Sequence, residues 1–260
     1  VAGDDLVFPA SASHKAMTNT LALSFNSIDF SGSGYSVTGT AITLGTASRT
    51  TSCGTVVNIC DSVASGGNSI ALAIAFGTSV TKTFTVTTAG ETLSLITGAK
   101  SGSSSGFTKA GSGILLVSGT NTFTGAVTIS AGTLQAGSAT ATGTTAGGLT
   151  ITSGAVSDLK GQAVGAEATT VSGTGISSGG AITNSSATAA TFSGALTYGS
   201  DVTVLTNNGN ITLSGTEANA GHTLTVDGSG SITISGVISG TGNVIMNGTG
   251  TFTSSGRHSY

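Results

Sequence analysis

Charge is scarce in this chain, with 7 Lys and Arg and 10 Asp and Glu spread over 260 residues. No stretch gathers the basic side chains, so nothing can follow a phosphate backbone, and a nucleic-acid partner is excluded. Long apolar runs are missing too. The longest, "SIALAIAFG" at 69–77, falls far short of the roughly 20 residues a membrane-spanning helix needs. The opening "VAGDDLVFPA" lacks the charged start and apolar stretch of a secretion signal, so any such signal is expected upstream. Trp is absent, Pro occurs once and aromatics make up only 5%, which argues against a sandwich core built on large rings.

Cysteine is nearly absent as well. Cys53 and Cys60 are the only two, in "SRTTSCGTVVNICDS". Their spacing suits a local disulfide closing a small loop, and two buried thiols are the alternative. With no further Cys and no nearby His, this segment cannot assemble a four-ligand zinc site. A bridge implies an oxidising compartment, and neither reading makes the pair catalytic.

What the chain has is Gly, Ser and Thr between short apolar runs. Its 42 Gly would suit a flexible chain, but disorder needs low hydrophobicity and the mean hydropathy here is +0.35. The phrases "GNITLSG" (209–215), "HTLTVDG" (222–228), "GSITISG" (230–236) and "GNVIMNG" (242–248) alternate aliphatic and polar residues between turn formers. In the first, Ile211 and Leu213 share one side and Thr212 takes the other, the pattern of a half-buried strand. Gly and Asn between phrases tolerate the positive φ of tight turns. No apolar spacing of helical period appears. The chain is read as all-β, and its small outward residues favour a β-solenoid in which like residues stack rung on rung. At about 20 residues and about 4.8 Å per rung, about 12 rungs are expected.

The segment "KAGSGILLVSGTNTFTGAVTISAGTLQAG" (109–137) resembles the autotransporter-associated β-strand repeat. The resemblance rests on Leu115, Val117, Ser118 and Gly119, then Asn121, Thr122, Phe123, Thr124 and Gly125, then Ile129, Ala131, Gly132, Thr133 and Leu134. A second copy begins at 236 and breaks off in mid-phrase at Tyr260, so the natural chain is expected to continue. "VAGDDLVFPASAS" and the segment after it are similar to the lead-in of such repeats in large bacterial surface proteins. The resemblance implies a right-handed parallel β-helix, exported and displayed on a bacterial surface. It divides the chain into an N-terminal part of the solenoid, 1–108, with the Cys53–Cys60 loop, and a repeat-bearing part, 109–260.

Residues for chemistry are thinly spread. A glycosidase needs two carboxyl groups about 5 to 9.5 Å apart. The candidates are Asp4, Asp5, Asp29, Asp61, Glu91, Asp158, Glu167, Asp201, Glu217 and Asp227. Adjacent Asp4 and Asp5 point to opposite sides of a strand. Glu217 and Asp227 flank His222 in the densest titratable cluster, but "GTEANAGH" reads as a solvated polar loop. His14 and His258 have no acidic or Cys neighbour at a metal-ligand spacing. The single Asp of "VDGSGS" (226–231) does not make a calcium ladder, and no Gly-rich phrase feeds a helix as phosphate loops require. Asn184, Asn210 and Asn247 fit the glycosylation pattern, as chance allows in so Ser- and Thr-rich a chain.

No catalytic residue and no cofactor is therefore expected. The expected function is that of a non-catalytic extracellular structural or adhesive β-solenoid, with a cell surface or a polysaccharide as its ligand. A subunit that stacks end to end into filaments is the alternative, and a polysaccharide-degrading enzyme a more remote one.

Overall fold

The computed structural model describes residues 4–45, 49–256 and 258–259. Within them lie 31 short strands and one 3-10 turn, Ile176–Ser178. All named pairings are parallel except one hairpin, Arg49–Thr51 against Gly54–Val57. Short alternating strands with glycine at their ends cannot close a core locally. Each therefore pairs with the strand one turn earlier and one turn later, and the chain winds into a β-solenoid of about 11 turns.

Three faces enclose the core. On the first, the inward ladder runs Leu6, Ile28, Ile59, Phe84, Lys109, Ile129, Ile151, Val171 and Tyr198. On the second it runs Val37, Ile70, Leu95, Val117 and Ala136. The third begins with Leu23, Ile42, Ile74 and Lys100, and resumes as a separate five-stranded sheet with Val164, Phe192, Leu213 and Ile234. Between these two parts, the backbone of 121–124 still bonds to its neighbours, Thr122 N–H donating to Lys100 O (2.8 Å) and Thr144 N–H to Phe123 O (3.0 Å).

Rung length accounts for finding about 11 turns where about 12 were expected. Lys109 and its partner Ile129 are 20 residues apart, but Ile28 and Ile59 are 31 apart because the hairpin is inserted between them. Cys53 and Cys60 are joined by a disulfide, with Cα atoms 5.7 Å apart, which ties the hairpin to the first face.

One hydrophobic cluster extends from Phe8 to Ile238. The boundary expected at 108/109 falls inside the strand Gly106–Ala110, so both parts share this core. Aromatic residues are few but concentrated: Phe76, Phe84, Phe107 and Phe123 make ring contacts with centroids 5.1–6.3 Å apart. Gly132 shows why the bends need glycine. Its φ is +68°, and a Cβ there would lie 2.4 Å from the carbonyl oxygens of Gly111 and Gly113 on the preceding turn.

Phe123 is fully buried in the ring cluster. Phe123→Ala is expected to lower the unfolding free energy by about 3–5 kcal/mol through lost transfer and cavity terms. Thr128→Ala, on the outward side, is expected to change it by less than about 0.5 kcal/mol. Chemical denaturation of both variants measures the difference.

Candidate functional surface

The repeat residues occupy structural positions. Leu115, Val117, Phe123, Ile129 and Leu134 are buried in the core. Gly119 and Gly132 take positive φ at two bends, and a Cβ on Gly125 would come within 2.3 Å of the Ser105 backbone. Asn121 is also buried, and its amide bridges three turns. Lys100 N–H donates to its Oδ1 (3.0 Å), and its Nδ2 donates to the carbonyls of Thr140 (2.9 Å) and Ser118 (3.3 Å). At a bend the chain leaves strand geometry, and the side-chain amide supplies the donor and acceptor that a ladder would have supplied.

Asn184 does the same elsewhere: Gly161 N–H donates to its Oδ1 (2.9 Å), and its Nδ2 donates to Thr188 O (2.8 Å) and Asn210 O (3.1 Å). Its amide is buried and committed, whereas Asn210 and Asn247 are exposed.

Three lysines occupy inward positions and are buried. Lys100 Nζ donates to the carbonyls of Leu95 (2.8 Å), Gly98 (2.7 Å) and Ser118 (2.8 Å). Lys109 Nζ donates to those of Ala110 (2.9 Å), Gly111 (2.8 Å) and Ala131 (3.1 Å). Lys82 Nζ donates to Gly45 O. An ammonium has three donors, so each of the first two is fully used, pinning a bend of its own turn to the next. Burial lowers all three from the ordinary lysine value, Lys100 to about 8 and Lys109 to about 7. The strict alternation of "GFTKAG" placed Lys109 in phase with Phe107, a signal that sequence reasoning did not use.

Glu217, Asp227 and His222, the densest titratable cluster of the sequence, are set on different elements. Glu217 is not in a solvated loop, as its polar neighbours suggested. It sits on the strand Glu217–Ala218, stacked between Leu196 and Ile238 on the first face, and is completely buried. The reason is register: a residue in phase with an aliphatic ladder is carried inward whatever its polarity. Its Oε2 accepts a hydrogen bond from the Tyr198 hydroxyl, and its Oε1 has no partner. Desolvation raises it to about 7, against the opposing Tyr198 bond.

Asp227 lies on another face, where it accepts from Gly228 N–H (2.7 Å), and His222 stands 3.8 Å from Asp201. Glu167 is buried with Oε1 accepting from Thr142 (2.6 Å) and Oε2 unpaired. Asp158 accepts from Gln135 (2.9 Å), Lys160 N–H (3.0 Å) and the backbone and hydroxyl of Ser185. Burial raises Asp61 to about 6, with Asn68 and Val63 N–H as donors. Asp5 accepts from the Ser27 hydroxyl (2.8 Å), and Glu91 accepts from Gly67 N–H (3.1 Å). Among the described residues no three His, Cys, Asp or Glu side chains converge as metal ligands.

The most regular surface is the outer side of the first face. Thr83, Thr108, Thr128, Thr150, Thr170 and Thr197 are successive register partners, about 4.8 Å apart. Among the described residues no hydrogen bond engages their hydroxyls. Two residues further along, Ser130 donates to Lys109 O (2.9 Å) and Thr152 to Ile129 O (3.0 Å), fastening adjacent turns. From Thr108 onward the row consists of uncharged threonines with free hydroxyls.

Residues 107–136 match the family model described as passenger-associated-transport-repeat. With the β-solenoid fold, the match fits an autotransporter passenger-like repeat protein. Comparisons with curated proteins and with solved structures gave no match. Among the described residues no helix is long and apolar enough to cross a membrane.

The buried groups make stability depend on pH in an unusual way. Between about 4.5 and about 7 native Glu217 holds a proton that the unfolded chain releases, so stability falls as pH rises. Between about 7 and 10.5 native Lys109 is neutral while the unfolded chain is protonated, so stability rises with pH. The unfolding free energy is expected to dip near neutrality. Glu217→Gln should remove its part of the acid limb, worth about 3 kcal/mol at most, leaving the part due to Asp61 and sparing the alkaline limb. Denaturation across pH 4–10 tests this.

Proposed function

We propose that this chain is a non-catalytic structural and adhesive rod of a bacterial surface protein, exposed outside the cell. The observation that carries the reading is the row of six threonines with unengaged hydroxyls on one face. An uncharged hydroxyl row makes no demand for counter-charge and exchanges hydrogen bonds with another hydroxylated surface, such as a polysaccharide, at many weak points at once. The titratable groups support the same reading, because those most perturbed are buried in the core rather than presented in a cleft. About 11 turns at about 4.8 Å give a rod of about 50 Å.

A second reading, self-assembly by end-to-end stacking, rests on a different observation. Among the described residues, Val7, Met17 and Leu21 on the first turn and Val237, Ile245 and Met246 near the other end are exposed large apolar side chains, with Ile176 alone between. At the first turn an apolar cavity of about 200 Å³ opens between the three faces, lined by Leu6, Phe8, Met17, Phe25 and Val37 among others. Exposed strand edges and the apolar opening at the first turn favour a heterologous contact between copies.

Binding of the purified chain to insoluble uncharged polysaccharide is expected, and Thr128→Glu with Thr150→Glu should abolish it while leaving the denaturation midpoint in place. Equal binding by the variant would overturn the contact face. Electron microscopy at rising concentration separates the readings: uniform lengthening fibres support stacking, and single rods of about 50 Å count against it.

A further inference from the structure

The inserted hairpin has a placement that the rod does not require. On the first face an outward-pointing row runs Asp29, Cys60, Thr85, Ala110. Its first three members are buried although they point away from the core, and Ala110 is half-exposed. The difference is the hairpin, whose strands Arg49–Thr51 and Gly54–Val57 pack beside Leu23–Phe30 and Thr81–Val86. Its hold on the face is concentrated at the tip. Cys53 is bonded to Cys60, and Ser52 donates its N–H to Asp29 Oδ2 (2.8 Å) and its hydroxyl to Asp29 Oδ1 (2.5 Å). The ladder beneath is closed without the tip: Ile28 N–H donates to Asn58 O (2.9 Å), Asn58 N–H to Thr83 O (2.9 Å), and Ile59 is paired to Ile28 below and Phe84 above.

We propose that this hairpin is a redox-released flap over the first turns of the first face. Cys53 is partly exposed while Cys60 is fully buried, so an external dithiol reaches the bond at Cys53 Sγ. Its thiolate forms a bond to Cys53 Sγ as the Cys53–Cys60 bond breaks, and Cys60 leaves with the electron pair and takes up a proton. The second thiol of the reductant then displaces Cys53, which also becomes a thiol. The dithiol loses two electrons and two protons to the two cysteines and closes to its own disulfide. With the covalent tie gone, the tip keeps only the hydrogen bonds of Ser52 with Asp29 and Ser62, and the flap lifts. Asp29, Cys60 and Thr85 then join the open surface that continues through Ala110, while the rod below stays wound. The release does not depend on the reading of that surface as an adhesive one.

The test is hydrogen exchange by mass spectrometry on the full chain, oxidised and after incubation with dithiothreitol under native conditions, with alkylation to count the freed thiols. Segment 49–57 is expected to exchange on the order of tenfold faster or more once reduced, while 28–30, 59–61 and 84–86 keep their protection. The variant Cys53→Ser with Cys60→Ser should reproduce the reduced pattern without reductant. Three results overturn the proposal: unchanged protection of 49–57 after reduction, loss of protection through 59–61 and 84–86 together with it, or failure of dithiothreitol to free the thiols short of unfolding.

Discussion

A buried backbone N–H or C=O must find a partner, and in this chain the neighbouring turn is its main source. That constraint organises the molecule. Along the faces it is met by parallel ladders. At the bends the ladder lapses, and buried side chains take over: the amides of Asn121 and Asn184, and the ammonium groups of Lys100 and Lys109. Polar residues are therefore inside this solenoid for a reason. They close circuits that the turning backbone leaves open, and each links at least two turns.

The same constraint explains the composition. A turn can approach its neighbour to ladder distance only where nothing projects between them, which places glycine at bends such as Gly125 and Gly132. Inside, repeated Ile, Val and Leu stack on their own kind, with Phe concentrated where Phe76, Phe84, Phe107 and Phe123 meet. Outside, a strand residue sees mostly solvent and its like on the next turn, and threonine suits both β geometry and water. A regular outer row follows from the winding. The hairpin interrupts that regularity, and its attachment through a disulfide and the Ser52 contacts with Asp29 and Ser62 sets it apart from the rung-to-rung bonding elsewhere.

Strand alternation, glycine-marked bends and the repeat phrase at 109–137 were legible in the sequence because a solenoid uses the same local signals on every turn. Alternation alone assigns Leu115 and Val117 inward and Thr128 outward, as the structure has them. Glu217 was misread because the polar residues around it suggest a loop, and only register with Leu196 and Ile238 carries it into the core.

What the sequence by itself determined is the all-β class, the solenoid and the positions where the chain must bend, since these depend on residue periodicity and on conformations that glycine adopts most readily. Tertiary structure decided which residues stack on which, because the separation between partners varies from 19 residues (Val117 and Ala136) to 33 (Val37 and Ile70) and no local pattern encodes it. From that stacking come the row of free threonines, the burial of three lysines and Glu217, and the covering of Asp29 by the hairpin. Each depends on contact between residues a full turn apart, a distance along the chain at which sequence pattern no longer specifies the neighbour.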